Sequence, residues 1–210
     1  MKEYHKINTY FKRDKISGKI IENSSSMPEF EYLKDNQWLF TEKVNGTNIR
    51  IGWDGEKIEI GGRTDKANIP VFLLDKLLEI FKNEDLFLKV FGDDPSLEVC
   101  LYGEGYGAKI QGGGGNYKPD GVDFALFDVR INGWFLVRED VEKIAERLDL
   151  KTVPVIGKGT LTEAINKTKN GFTSAWGNFL AEGIVARPEV ELKTRRGDRI
   201  IVKLKTKDFL

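Results

Sequence analysis

The chain has little of what many enzyme sites are built from: one cysteine, Cys100, and one histidine, His5, in 210 residues. A lone cysteine forms no internal disulfide and no thiolate metal cluster and suits a reducing compartment, so cytoplasmic residence is the expectation. A lone histidine leaves serine and cysteine triads and histidine-based zinc sites without constituents. Charge of one sign is lacking as well. With 33 basic and 33 acidic side chains the chain is no bulk polycation, and any anion-binding surface has to be local. No apolar run approaches the roughly 20 residues that cross a bilayer, and Met1-Lys2-Glu3-Tyr4-His5-Lys6 has no apolar core of a signal peptide. The four glycines 112–115 are followed by no Gly-Lys-Ser/Thr, which excludes a Walker phosphate loop; a mobile surface turn is the plain reading of them, and a functional lid is the alternative.

What is present is an ordinary globular composition, 40% hydrophobic and 31% charged, without a repeat or a convincing linker. A single domain over 1–210 is therefore expected, with 1–36 as a polar, irregular lead-in broken at Ser24-Ser25-Ser26-Met27-Pro28. Three β-like runs, 38–43, 47–53 and 57–61, the last two joined by Asp54-Gly55, predict an antiparallel meander. Pro70 followed by apolar residues at three- and four-residue spacing predicts a helix over 71–82, and similar patterns predict helices at 139–148 and 161–168. Strands are expected at 97–104 and 122–129, both apolar on two faces and so central, and at 183–187 and 199–205. The fold class is α+β, mainly antiparallel.

Chemistry concentrates on lysines. An amine attacks only when neutral, so a nucleophilic lysine needs positive charge or an apolar wall beside it. Lys43, in Thr41-Glu42-Lys43-Val44-Asn45-Gly46-Thr47-Asn48, is the candidate nucleophile. In Val202-Lys203-Leu204-Lys205 the period of two puts both ammonium groups on one face of one strand, a phosphate clamp. Residues 191–210 carry seven basic against three acidic side chains. Either signal alone is also what a solvated strand shows.

Taken with further polar runs in order, these segments resemble the adenylyltransferase domain of ATP-dependent RNA ligases, the group containing phage RNA ligase 2 and the trypanosome RNA-editing ligases, within the covalent nucleotidyltransferase superfamily. Glu42-Lys43-Val44-Asn45-Gly46 resembles the motif that presents the nucleophilic lysine, and Gly62-Arg63-Thr64 the element whose arginine helps bind substrate. Leu101-Tyr102-Gly103-Glu104 resembles the motif with a ribose-binding glutamate, Phe124-Ala125-Leu126-Phe127-Asp128 the strand whose phenylalanine stacks on the base, and Ala181-Glu182-Gly183-Ile184-Val185 and Val202-Lys203-Leu204-Lys205 the last two motifs. The resemblance spans 42–205.

It implies a ligase- and capping-enzyme-type fold and a sequence of roles. Lys43, with Lys203 and Lys205 as catalytic partners, takes AMP from ATP. Glu42, Asn48, Arg63, Glu104 and Phe127 bind the nucleotide, and Glu182 holds Mg²⁺ or Mn²⁺. The implied partner is RNA with 5′-phosphate and 3′-hydroxyl ends, with no membrane. Asn45 departs from the family, where DNA ligases and capping enzymes carry aspartate and the RNA ligase 2 group usually histidine. The chain stops five residues after Lys205, where relatives continue into an OB-fold or helical domain. The expectation is a domain without that extension, its RNA contacts falling to basic segments such as Lys12–Lys19 and 193–199 or to a protein partner. Alternatives are an adenylyltransferase that activates 5′ ends without efficient sealing, and a non-catalytic RNA-binding subunit.

Overall fold

A computed structural model describes all residues, Met1–Leu210. Its elements in chain order are β1 (Asn8–Thr9), β2 (Phe11–Arg13), β3 (Ile20–Ser25), α1 (Pro28–Tyr32), β4 (Trp38–Glu42), β5 (Gly46–Trp53), β6 (Ile58–Gly61), α2 (Val71–Ile80), α3 (Glu84–Phe91), β7 (Val99–Gly107), β8 (Val122–Ile131), β9 (Trp134–Phe135), α4 (Arg138–Arg147), β10 (Val155–Gly159), α5 (Leu161–Asn170), β11 (Gly183–Pro188) and β12 (Val202–Lys205). No helix is long and apolar enough to cross a membrane. The class is α+β with mainly antiparallel sheets, as the sequence patterns require.

The chain divides into two compact units, one of Met1–His5 with Asn45–Val153, the other of Lys6–Val44 with Pro154–Leu210. The first is a sheet in the order β6-β5-β7-β8-β9. Ile49, Ile51, Leu101, Val99, Phe124, Leu126 and Val129 point from one face into a core closed by Leu73 and Leu77 of α2, Phe87 of α3 and Val141 of α4. The second is a sheet in the order β1-β12-β11-β4-β10, with the hairpin β2-β3 beside it. Trp38, Phe40, Ile184, Ala186, Val202 and Leu204 pack there against Leu161 and Ala164 of α5. Thr160 caps α5 through a reciprocal capping box with Glu163.

Several expectations are corrected. The run 38–61 is not one meander: β4 pairs with β10 and β11, whereas β5 and β6 form a hairpin in the other sheet. The cause is burial, because β4 is buried on both faces and both edges and so is a central strand. The lead-in is not irregular, since it supplies β1, β2, β3 and α1, and β1 pairs in parallel with β12. Helix α3 and strand β10 were not foreseen. The signal for α3 was local, Asn83 accepting from the Leu86 amide as an N-cap, followed by two acidic residues in the first turn. The glycine run begins as the surface turn expected, with Gly112 and Gly113 exposed, and then tightens. Gly114 is buried in a 3₁₀ turn, Gly114–Asn116, and the Gly112 carbonyl accepts from Asn45 Nδ2 at 2.7 Å.

Neighbouring leucines of α2 test the core assignment. Leu77 is fully buried and Leu78 54% exposed. Leu77→Ala is expected to destabilise by about 2–5 kcal/mol and Leu78→Ala by less than about 0.5 kcal/mol in chemical denaturation.

Candidate active site

Five candidate residues belong to the β1-β12-β11-β4-β10 unit. Gly183 lies opposite Lys205 and Val185 opposite Lys203 across β11 and β12, while Val185 also lies opposite Thr41 of β4. The Lys43 amide extends that ladder, donating to the Gly183 carbonyl at 2.9 Å. Strand alternation therefore gives Lys43, Lys203 and Lys205 one face, and Val202 and Leu204 fill the core on the other. Gly183 adopts φ +152°, and a methyl group there would overlap the Leu204 carbonyl, so glycine permits β12 to approach at the position of Lys205.

The residue before that glycine is held from both sides. The Thr206 amide donates to the Glu182 carbonyl at 2.9 Å, and the Thr206 hydroxyl to the Ala181 carbonyl at 2.8 Å. With its backbone fixed, Glu182 places its carboxylate 2.8 Å from Lys43 Nζ, through both oxygens. Both side chains remain about one-fifth exposed, 21% and 18%, so the pair is reachable from solvent. Burial lowers the pKa of the Lys205 ammonium, and repulsion from Lys43 lowers it further against the attraction of Glu182.

Glu42 is on the opposite face, with Trp38 and Phe40, and is 1% exposed. Its carboxylate accepts from the Ser174 hydroxyl at 2.5 Å and from the Ala175 amide at 2.7 Å. Burial raises its pKa, and these two hydrogen bonds oppose the rise. The structure thus separates Glu42 from the three lysines and engages both of its oxygens with the loop after α5.

Four candidates belong to the other unit. Asn48 of β5 lies directly opposite Glu104 of β7, and Glu104 opposite Ala125 of β8. Gly46 makes room for this arrangement, because a methyl group there would overlap the Gly105 carbonyl and the Glu104 side chain. The buried Oδ1 of Asn48 accepts no hydrogen bond, an unsatisfied acceptor of the kind a ligand hydroxyl or amine fills. Phe127 is the extra residue of a β-bulge: Leu126 pairs with Gly103 and Asp128 with Tyr102. Its ring meets the Tyr4 ring edge-on at 5.1 Å. Arg63 is exposed in the turn after β6.

That turn is fastened by a residue outside the motifs. Arg50 is fully buried, and its guanidinium donates to the Gly62 carbonyl at 2.7 Å, Asp65 Oδ1 at 2.8 Å and the Met1 carbonyl at 3.0 Å. The Arg50 hydrogen bond holds the Asp65 carboxyl below its ordinary range. Tyr102 donates to the Lys2 carbonyl and Tyr4 to Asp128, so residues 1–5 lie on the sheet face that Asn48 and Glu104 share. The signal that could have found Arg50 is a charge set between Ile49 and Ile51 in an otherwise apolar run. Tyr4 and Ser174 had no sequence signal, since their partners are 124 and 132 residues away.

No set of three or more His, Cys, Asp or Glu side chains converges, so the protein alone offers no metal cage. Glu182 as a single carboxylate suits a cation that takes its other ligands from water and phosphate, the usual habit of Mg²⁺.

The sequence model of the RNA ligase family matches residues 36–205. No curated protein matches. Among solved structures, a Naegleria gruberi RNA ligase mutant with ATP and Mn superimposes with a TM-score of 0.67 at 19% identity, covering 94% of this chain and 55% of that one. The same ligase with PPi gives 0.66 at 20% identity, covering 100% and 63%, and another mutant with AMP and Mn gives 0.66 at 19%, covering 97% and 62%. These likenesses are likenesses of fold, and the chain spans somewhat over half the length of the structures it matches.

Two stability measurements test the electrostatics. Lys205→Met is expected to leave the melting temperature unchanged or raised, because it removes a partly buried cation that Lys43 repels; a clear drop would contradict the assignment. For Glu42 the folded state binds the proton more tightly than the unfolded chain. Wild type should therefore gain stability relative to Glu42→Gln as pH falls from 7, the gain levelling off below the ordinary value of 4.5. Paired melts across that range decide it.

Proposed function

The chain belongs to the RNA ligase family, and from that premise we propose that residues 1–210 act as one nucleotidyltransferase domain, an ATP-dependent RNA ligase. In this reading Lys43 takes AMP from ATP, the AMP passes to a 5′-phosphate of RNA, and a 3′-hydroxyl displaces it. The observation that carries the proposal is the meeting of Lys43, Glu182 and Lys205 at the ends of three adjacent strands, with Lys203 on the face of Lys43 and Lys205. Similar Naegleria gruberi structures hold ATP or AMP with Mn, which supports ATP as the nucleotide and a divalent cation as its companion.

An ammonium has no lone pair, so Lys43 attacks only after losing a proton. The Glu182 carboxylate, 2.8 Å away, is the adjacent acceptor and holds the amine in place. The attack forms an N–P bond to the α-phosphorus and breaks its bond to the bridging oxygen, and pyrophosphate leaves. Negative charge moves toward that leaving group, and Lys203 and Lys205 face it on a rigid strand. Preorganised cations of this kind supply most of the acceleration in phosphoryl transfer. Mg²⁺ or Mn²⁺, held by Glu182 together with nucleotide phosphates, would neutralise phosphate charge.

In the other unit Glu104 is assigned to ribose hydroxyls, Phe127 to stacking on adenine, and Asn48 and Arg63 to phosphate, Arg63 having the fork geometry for a bidentate grip. Glu42 enters the proposal differently from the resemblance alone. With both oxygens engaged by Ser174 and Ala175, it anchors the loop behind the Lys43 strand.

Intact-mass measurement after ATP and Mg²⁺ tests the first step. Wild type should carry one AMP, and Lys43→Ala none; an adduct persisting in the alanine variant would remove Lys43 from its role. Gel assays on nicked and single-stranded RNA with 5′-phosphate and 3′-hydroxyl ends test the last step. An adduct with no joined RNA would reduce the reading to an adenylyltransferase, and no adduct at all would leave a binding subunit.

A further inference from the structure

The hairpin β2-β3 has no part in the lysine cluster, yet it is fastened to the strand that carries two of its three lysines. β1, which leads into the hairpin, pairs with β12 through Thr9 and Lys203. Beyond Lys205, Asp208 is ion-paired to Arg13, and Phe209 meets the Phe11 ring at 6.0 Å. The hairpin thus continues from the edge strand β1, which flanks the strand of Lys203 and Lys205.

Its charges are unevenly used. The acids are engaged: Asp14 Oδ1 accepts from the Ile16 amide, the Ser17 amide and the Ser17 hydroxyl at 2.7–3.1 Å, Asp208 is paired with Arg13, and Glu22 with Lys169. The lysines are not: Lys12, Lys15 and Lys19 are exposed and their side chains take part in no hydrogen bond or ion pair, and Lys207 is exposed in the same way just past the clamp. Between Lys15 and Lys19 the tip presents Ile16, 98% exposed.

We propose that the β2-β3 hairpin is a polynucleotide-binding arm that grips the phosphodiester backbone of RNA through Lys12, Lys15 and Lys19. The proposal rests on the ligase reading and adds the surface that holds the RNA strand. Unpaired cations spaced along a hairpin match the repeated charges of a strand better than one small anion does. An isolated apolar side chain at the tip matches the apolar faces of bases, which stack or pack wherever a strand is unpaired. The position on the edge of β12 makes the arm continuous with the proposed phosphate clamp.

The test uses the full chain, with Lys12, Lys15 and Lys19 changed together to Glu and, in a second protein, to Gln. Three readouts are taken: AMP adduct by intact mass, affinity for a short fluorescent 5′-phosphorylated RNA across a salt series, and flotation with phosphatidylserine vesicles. Loss of three phosphate contacts should weaken RNA binding by at least about tenfold at low salt and flatten the salt slope by about 2, at roughly 0.7 per contact for a single strand. The glutamate protein should be the weaker of the two. Adduct formation should equal wild type in both. Unchanged RNA affinity and slope would overturn the arm while leaving the ligase reading intact. Vesicle binding that depends on the three lysines, with RNA binding that does not, would overturn it in favour of a membrane surface. Loss of the adduct along with RNA binding in the glutamine protein would overturn it by making the hairpin part of the nucleotide step. Absence of the adduct in wild type counts against the ligase reading and leaves the RNA comparison to decide the arm.

Discussion

The ion pair between Lys43 and Glu182 exists because the ladder joining β4 to β11 runs one hydrogen bond past the last residue of β4, from the Lys43 amide to the Gly183 carbonyl. That bond, with Thr206 holding Ala181 and Glu182 from the side of β12, sets three strand ends at one level. Shift any pairing by one residue and a lysine turns into the core while an apolar residue turns out. Position here is therefore a property of backbone register, and Gly183 is the residue that lets the register close.

The two units solve the problem of buried charge in opposite ways. Arg50 is wholly enclosed yet fully engaged by two carbonyls and a carboxylate, so it costs little and ties residues 1 and 62–65 to one strand. Lys205 is partly enclosed beside another cation, an arrangement with no structural advantage. Strain tolerated at one place and avoided at another is how function is usually distinguished from architecture.

Much of this was legible in the chain. The alternation Val202-Lys203-Leu204-Lys205 and the apolar runs of β7 and β8 reported their faces correctly, because period-2 patterning records burial directly. The helix over 71–82 was equally plain. What failed was partnership: nothing local distinguishes β4 paired to β5 from β4 paired to β10 and β11, since pairing is decided by segments more than a hundred residues apart. The same limit hid Ser174 behind Glu42 and the N-terminal residues beside Tyr102 and Asp128. The face of Glu42 was legible as well, since strand alternation sends the side chains of neighbours 42 and 43 to opposite faces.

β4 has a further consequence for how the chain comes into being. It is made within the first 42 residues, but both of its hydrogen-bonding neighbours, β10 and β11, follow residue 154. On a growing polypeptide, a strand whose five residues all end up buried waits with two open edges while more than a hundred further residues are made. Such long-range pairing folds slowly and exposes the intermediate to association with other chains. The last strand to arrive, the lysine strand β12, closes β11 and completes the sheet around it.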